Sequence, residues 1–200
     1  MYLKAQETRI IYPIPFMILS WACNTKISNC EILGTRLQPT IGILVLDSDL
    51  QVKDTVISEH PYGGIHLKSK ADNIIQIKNC QIKMNGNCGI ICIGREAEPE
   101  IRTCIISQNK GAGIRVSIHN KAKIIGCDIL KNQQGVEIIS SFPFVFNNNI
   151  LNNYGNGVLT WTYQGFMCNG RITNNKISSN TQNGVMCTGK CNFTTIIANS

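Results

Sequence analysis

Apolar and polar positions alternate along this chain in short runs, and no window keeps apolar residues at helical spacing over ten or more positions. The runs share one frame: Ile27-Ser28-Asn29-Cys30-Glu31-Ile32, Val52-Lys53-Asp54-Thr55-Val56-Ile57, Ile77-Lys78-Asn79-Cys80-Gln81-Ile82, Ile101-Arg102-Thr103-Cys104-Ile105-Ile106, Ile124-Ile125-Gly126-Cys127-Asp128-Ile129 and Ile172-Thr173-Asn174-Asn175-Lys176-Ile177. β-Branched residues at every second position, interrupted by Asn, Gly and Asp, predict strands of about three to five residues joined by tight turns. Each frame is followed by a glycine and a β-branched residue: Gly42-Ile43, Gly64-Ile65, Gly89-Ile90, Gly113-Ile114, Gly135-Val136, Gly157-Val158 and Gly184-Val185. Successive glycines lie 22, 25, 24, 22, 22 and 27 residues apart. A period of that length is the signature of a solenoid, in which each repeat buries its core against its neighbours.

The reading that follows is all-β: a single-stranded right-handed parallel β-helix of about 7–8 coils, stacked at about 4.8 Å per rung. Residues 1–15 form a lead-in or cap, and 16–200 form the repeat domain, with Phe16-Met17-Ile18-Leu19 as a first strand and an open last coil able to make end-to-end contacts. Stacking turns the repeat into columns. Ile43, Ile65, Ile90, Ile114, Val136, Val158 and Val185 line one inner wall; Ile32, Ile57, Ile82, Ile106, Ile129, Ile150 and Ile177 line another. Asn85, Asn109, Asn132, Asn153 and Asn180 form a ladder at a corner, a slot held by Thr35 and His60 in the first two coils.

Cysteine changes the picture most. Cys30, Cys80, Cys104 and Cys127 share one column with Thr55, Asn148 and Asn175, and Cys92 and Cys187 share another with Val45, Leu67, Val116 and Ile138. Cysteine exchanging with Val, Thr and Asn behaves as a small buried side chain. The ten cysteines are therefore expected to be free thiols in a cytoplasmic or nuclear, reducing compartment. No CxxC pair is present, and His60, His66 and His119 are not at metal-ligand spacings, so neither metal nor cofactor is expected. The net charge of +7 is spread over scattered Lys and Arg without the dense basic stripe that a nucleic-acid surface needs. No apolar run is long enough for a membrane span.

Alternation points a second set of columns outward. Leu44, His66, Ile91, Arg115, Glu137, Leu159 and Met186 make one, and Leu46, Lys68, Ile93, Ser117, Ile139, Trp161 and Thr188 the next. His66, Arg115 and Glu137 would make a polar site on this sheet, yet Arg115 and Glu137 also fit a plain ion pair between neighbouring strands. A glycosidase needs two carboxylates across the sugar bond, and Glu137 has no carboxylate neighbour in either column. A lyase would have to draw on Asp47, Asp49, Asp72, Glu137 and Arg115. The repeated outward apolar residues instead predict an exposed hydrophobic face, with His66, Lys68, Ile91, Ile93, Arg115, Glu137, Leu159 and Trp161 as the candidate binding set and no catalytic residue.

The string Asn-Cys-x-Ile…Asn…Gly-Ile-x-Val, clearest from Pro99 to Val116 and again from Lys121 to Ile139, resembles the right-handed parallel β-helix repeats of the pectin-lyase-like superfamily. Within it, the repeats are most similar to the β-helix region of F-box-only ubiquitin-ligase subunits and their spindle-associated, adaptor-binding relatives. That resemblance implies a non-catalytic substrate-recognition platform with a protein partner. Neither an F-box nor a zinc-finger pattern lies within these 200 residues, so only the protein-binding β-helix carries over. The alternative is a polysaccharide-binding protein, or a polysaccharide lyase or hydrolase, of the same superfamily.

Overall fold

The computed structural model describes residues 15–35 and 37–191, and the backbone of strand Thr195–Ile197; the expected lead-in therefore lies, apart from Pro15, outside the described residues. Three parallel sheets wrap one elongated core. The first sheet stacks Phe16–Trp21, Ile41–Leu46, Gly63–Lys68, Ile90–Ile93, Ala112–Ser117, Gln134–Ile139, Val158–Trp161 and Val185–Thr188. The second stacks Asn24–Ser28, Asp49–Lys53, Ile75–Lys78, Glu100–Arg102, Lys123–Ile125, Phe144–Phe146, Arg171–Thr173 and Thr195–Ile197. The third runs from Glu31–Leu33 through Val56–Ser58, Gln81–Lys83, Ile105–Ser107, Asp128–Leu130 and Asn149–Leu151 to Lys176–Ser178. Each strand pairs only with strands of the coils before and after it, and no helix occurs among the described residues.

The pairing register reproduces the columns. Ile43 pairs with Ile65, Ile65 with Ile90, Ile90 with Ile114, Ile114 with Val136, Val136 with Val158 and Val158 with Val185. The Ile32-to-Ile177 column is equally continuous in the third sheet. A slip of one residue would turn both isoleucine columns to solvent, so their burial pins the register. From Ile43 to Val158 the first-sheet column is wholly buried, within one hydrophobic cluster that extends from Ile32 to Ile172.

Two corners carry polar ladders. After the third sheet, the Asn132 amide nitrogen donates to the Ile106 carbonyl (2.9 Å) and to Asn153 Oδ1 (3.3 Å), while its own Oδ1 accepts from the Asn109 backbone (3.0 Å) and side-chain (2.9 Å) amides. Asn85, Asn109, Asn153 and Asn180 continue the chain of bonds. His60 takes the slot one coil earlier: its backbone N–H donates to Asn85 Oδ1 and its Nε2–H to the Ile32 carbonyl, leaving Nδ1 to accept from the Thr40 hydroxyl. Thr35 does not join; it is exposed, and its hydroxyl accepts from the Gln38 backbone.

At the corner between the second and third sheets, Cys80, Cys104 and Cys127 point inward and are 1 % exposed. Each thiol donates to carbonyls of its own and the preceding coil, as Cys104 Sγ does to Arg102 (3.1 Å) and Ile77 (3.6 Å). Asn148 and Asn175 continue that column with amide bonds of 2.9–3.0 Å to Ile124, Val145 and each other. Cys30, at the edge coil, is exposed.

Candidate outer face and corner groove

The first sheet is the widest of the three, and its outer side presents the two predicted columns in register. Leu44, His66, Ile91, Arg115, Glu137, Leu159 and Met186 succeed one another in pairing order, as do Leu46, Lys68, Ile93, Ser117, Ile139, Trp161 and Thr188. What lies outward is nevertheless not all exposed. Leu44, Leu46 and Ile91 are buried, Ile91 at 7 % beside Cys88, Ala112 and Ile93, which corrects the expectation that these three belong to an exposed hydrophobic face. Lys68 is exposed, and His66, Ile93, Arg115, Leu159 and Trp161 are half-buried.

Glu137 organises the centre of this face. Only 9 % exposed, it accepts the Arg115 Nε–H on Oε2 at 2.6 Å and the Trp161 indole N–H on Oε1 at 3.0 Å. The first contact joins facing residues on adjacent strands; the second reaches diagonally to the next column, a distance that a long aromatic side chain spans. Trp161 also packs edge-on against Tyr163, ring centroids 6.5 Å apart. Both carboxylate oxygens are thus committed, and the ring of Trp161 is fixed from two sides.

His66 lies two strands from Arg115 on the same column. Burial pushes its imidazole down to about 4, against a hydrogen bond to the Tyr62 carbonyl that favours the charged form; the nearby Arg115 charge adds a smaller push downward. It is therefore neutral near pH 7, with Nε2 as a bare acceptor that is buried and has no hydrogen-bond partner. A base must reach the proton it removes. This nitrogen is shut in beside Gly63, where an added Cβ would meet it at 2.5 Å.

The acidic residues weighed for lyase chemistry sit elsewhere. Asp47, in the bend between the first and second sheets, pairs with Lys70 at 3.0 Å, and Asp49, the first residue of a second-sheet strand, accepts the Ile74 backbone N–H on Oδ1 at 2.8 Å. Asp72 is exposed in the same turn region. Among the described residues no three His, Cys, Asp or Glu side chains are grouped to hold a metal ion, and no helix is long and apolar enough to cross a membrane.

A feature absent from the sequence-based candidates runs along the asparagine corner. Residues on either side of each ladder position form two walls, Glu59, Met84, Gln108 and Lys131 on one and Pro61, Gly86, Lys110, Gln133 and Tyr154 on the other. Between them lies a groove in two contiguous stretches of about 380 and 590 Å³, with Asn109 in its floor. Glu59, Met84, Gln108 and Lys131 all adopt left-handed backbone geometry, φ 54–64°, which repeats the same turn coil after coil.

The model of the right-handed β-helix region matches residues 16–103 and 42–200. The chain belongs to the right-handed β-helix family. No curated protein matches it by sequence. Similar solved structures include a variant of the periplasmic alginate epimerase AlgG (TM-score 0.76, 12 % identity, 92 % of this chain and 48 % of that one). The unmodified AlgG gives a TM-score of 0.64 at 14 % identity over 90 % and 47 % of the two chains. The A-module of the Azotobacter vinelandii mannuronan C-5 epimerase AlgE6 gives 0.52 at 13 % identity over 88 % and 68 %. This chain spans about half the length of the AlgG structures it matches, and at these identities the likeness is one of fold.

Proposed function

We propose that this β-helix recognises polysaccharide on the outer face of its first sheet. The observation that carries the reading is Trp161, its indole N–H held by Glu137 and its edge set against Tyr163. An aromatic ring immobilised on a flat sheet is a ready platform for a sugar ring, because little conformational freedom is lost on binding. Further along the same face, Arg115 two strands away and Lys68 four strands away supply donors for hydroxyl or carboxylate groups of a chain ligand that runs along the stack. The fold neighbours named for epimerisation of alginate and mannuronan support a polysaccharide over a protein ligand. Burial of Ile91, Leu44 and Leu46 also reduces the apolar area that the face offers to a protein partner.

Recognition is preferred over hydrolysis because Glu137 works as a clamp, both oxygens being engaged, and hydrolysis needs a pair of available carboxylates. The test is calorimetry with a polyuronate such as alginate. Trp161→Ala should weaken binding by about tenfold, roughly 1.4 kcal/mol. Unchanged affinity would remove the face from consideration, and steady release of unsaturated or epimerised products would replace binding by catalysis.

A further inference from the structure

We infer that the corner groove is a separate site for a linear polyanionic glycan, laid lengthwise along the helix axis. The inference takes its ligand class from the proposed function but places the ligand on a different surface, with no residue in common with the Trp161 face.

The groove has the form a chain ligand requires. It extends over consecutive coils, and its combined stretches lie within the volume range of small-ligand clefts. Its walls repeat with the rung spacing of about 4.8 Å, so an extended sugar chain meets a new pair of wall residues at each step. The chemistry is graded along it. Lys110 and Lys131 stand on opposite walls in adjacent coils, both exposed. Neither is in an ion pair among the described residues, whereas Lys53, Lys70, Lys121 and Lys123 each have a carboxylate partner. Glu59, the one carboxylate in the lining, is at the far end beside Pro61. Gln108 and Gln133 add amide donors and acceptors, again on opposite walls, that suit sugar hydroxyls.

Tyr154 closes the positive end with a ring that is 62 % exposed. Two unneutralised cations, two amides and one aromatic face form the complement of a sugar chain that bears one acidic group per ring. The floor is rigid: Asn109 and its ladder neighbours are fully hydrogen-bonded, so the walls are held in place before any ligand arrives.

The experiment uses the full chain, with alginate, neutral dextran and poly-glutamate as probes in affinity electrophoresis and calorimetry at low and moderate salt. Lys110→Glu together with Lys131→Glu should weaken alginate binding at least tenfold and flatten its salt dependence. Tyr154→Ala should weaken it several-fold, and dextran should bind far more weakly than alginate throughout. Because these side chains are exposed, circular dichroism should stay native. Full affinity in the double variant, combined with loss in Trp161→Ala, would overturn this inference and leave the outer-face reading standing. Loss in the double variant with full affinity in Trp161→Ala would do the reverse. Poly-glutamate binding as tightly as alginate would overturn the inference too, since bare charge attraction would then account for everything.

Discussion

At the residue scale, His66 shows how alternation and depth part company. Its position in an outward column was legible from the repeat, but its covered Nε2 was not, because the alternation says which side a residue faces and nothing of what lies over it. The same holds for Ile91 and Glu137, both assigned outward and both buried. His66 also gives a pH signature. Its folded value near 4 lies below the ordinary histidine value of about 6.5, so the unfolded chain binds the extra proton first. The contribution is intact above pH 6.5 and is lost as pH falls towards 4. Between pH 7.5 and 5 the cost should be about 2 kcal/mol, with His60 shifted in the same direction by its own burial. Urea midpoints for the wild type and His66→Gln at both pH values measure it. If the variant loses as much stability as the parent, the buried imidazole is not the cause.

At the scale of the element, the corner explains the glycines that made the repeat visible. Gly113 is not there for its backbone freedom. A Cβ at that position would stand 2.7 Å from Ile129 Cγ2, 2.8 Å from the Gly135 carbonyl and 2.9 Å from Asn132 Nδ2. The same three kinds of neighbour crowd Gly89 and Gly157, so the glycine column is the space into which the asparagine ladder and the isoleucine column press. Gly113→Ala should cost about 1–3 kcal/mol by overpacking. Asn132→Ala should cost more, roughly 3–5 kcal/mol, because it removes the acceptor of the buried Asn109 backbone N–H, one acceptor of its side-chain amide and the side-chain donor to the Ile106 carbonyl. Thermal unfolding of the two variants tests the order, and an alanine at 132 milder than one at 113 would refute the ladder's role. The asparagine column was readable from spacing alone. The groove beside it was not, since its walls are turn residues, outside the strand alternation from which the candidates were drawn. The reach of Trp161 to Glu137 escaped for a related reason: columns order residues along the axis and hide the diagonal contacts between columns.

At the scale of the molecule, the thiols report how the stack is sealed. All ten cysteines are unpaired, with Cys80, Cys88, Cys92, Cys104, Cys127 and Cys168 buried and Cys23, Cys30 and Cys187 exposed. Burial pushes the Cys92 thiol up to about 12 and that of Cys168 to about 11, so neither supplies thiolate at neutral pH. A soluble maleimide added to the native protein should label the exposed three within minutes and spare the buried six, while denaturation without reductant should release ten. Four or more thiols missing from the denatured count would mean that disulfides form after all.

Because each coil completes its hydrogen bonds on the next at equivalent atoms, the natural unit of change in this gene is the whole coil. A tandem in-frame duplication of residues 113–134 would return the chain to register, with Ile114 stacked under a second Ile114 and Asn132 under a second Asn132. An insertion of half that length inside a strand would break its pairing, whereas the turns already absorb extra residues, since glycines 22 to 27 residues apart keep their columns paired. Such a duplication would also lengthen the corner groove by one rung, about 4.8 Å.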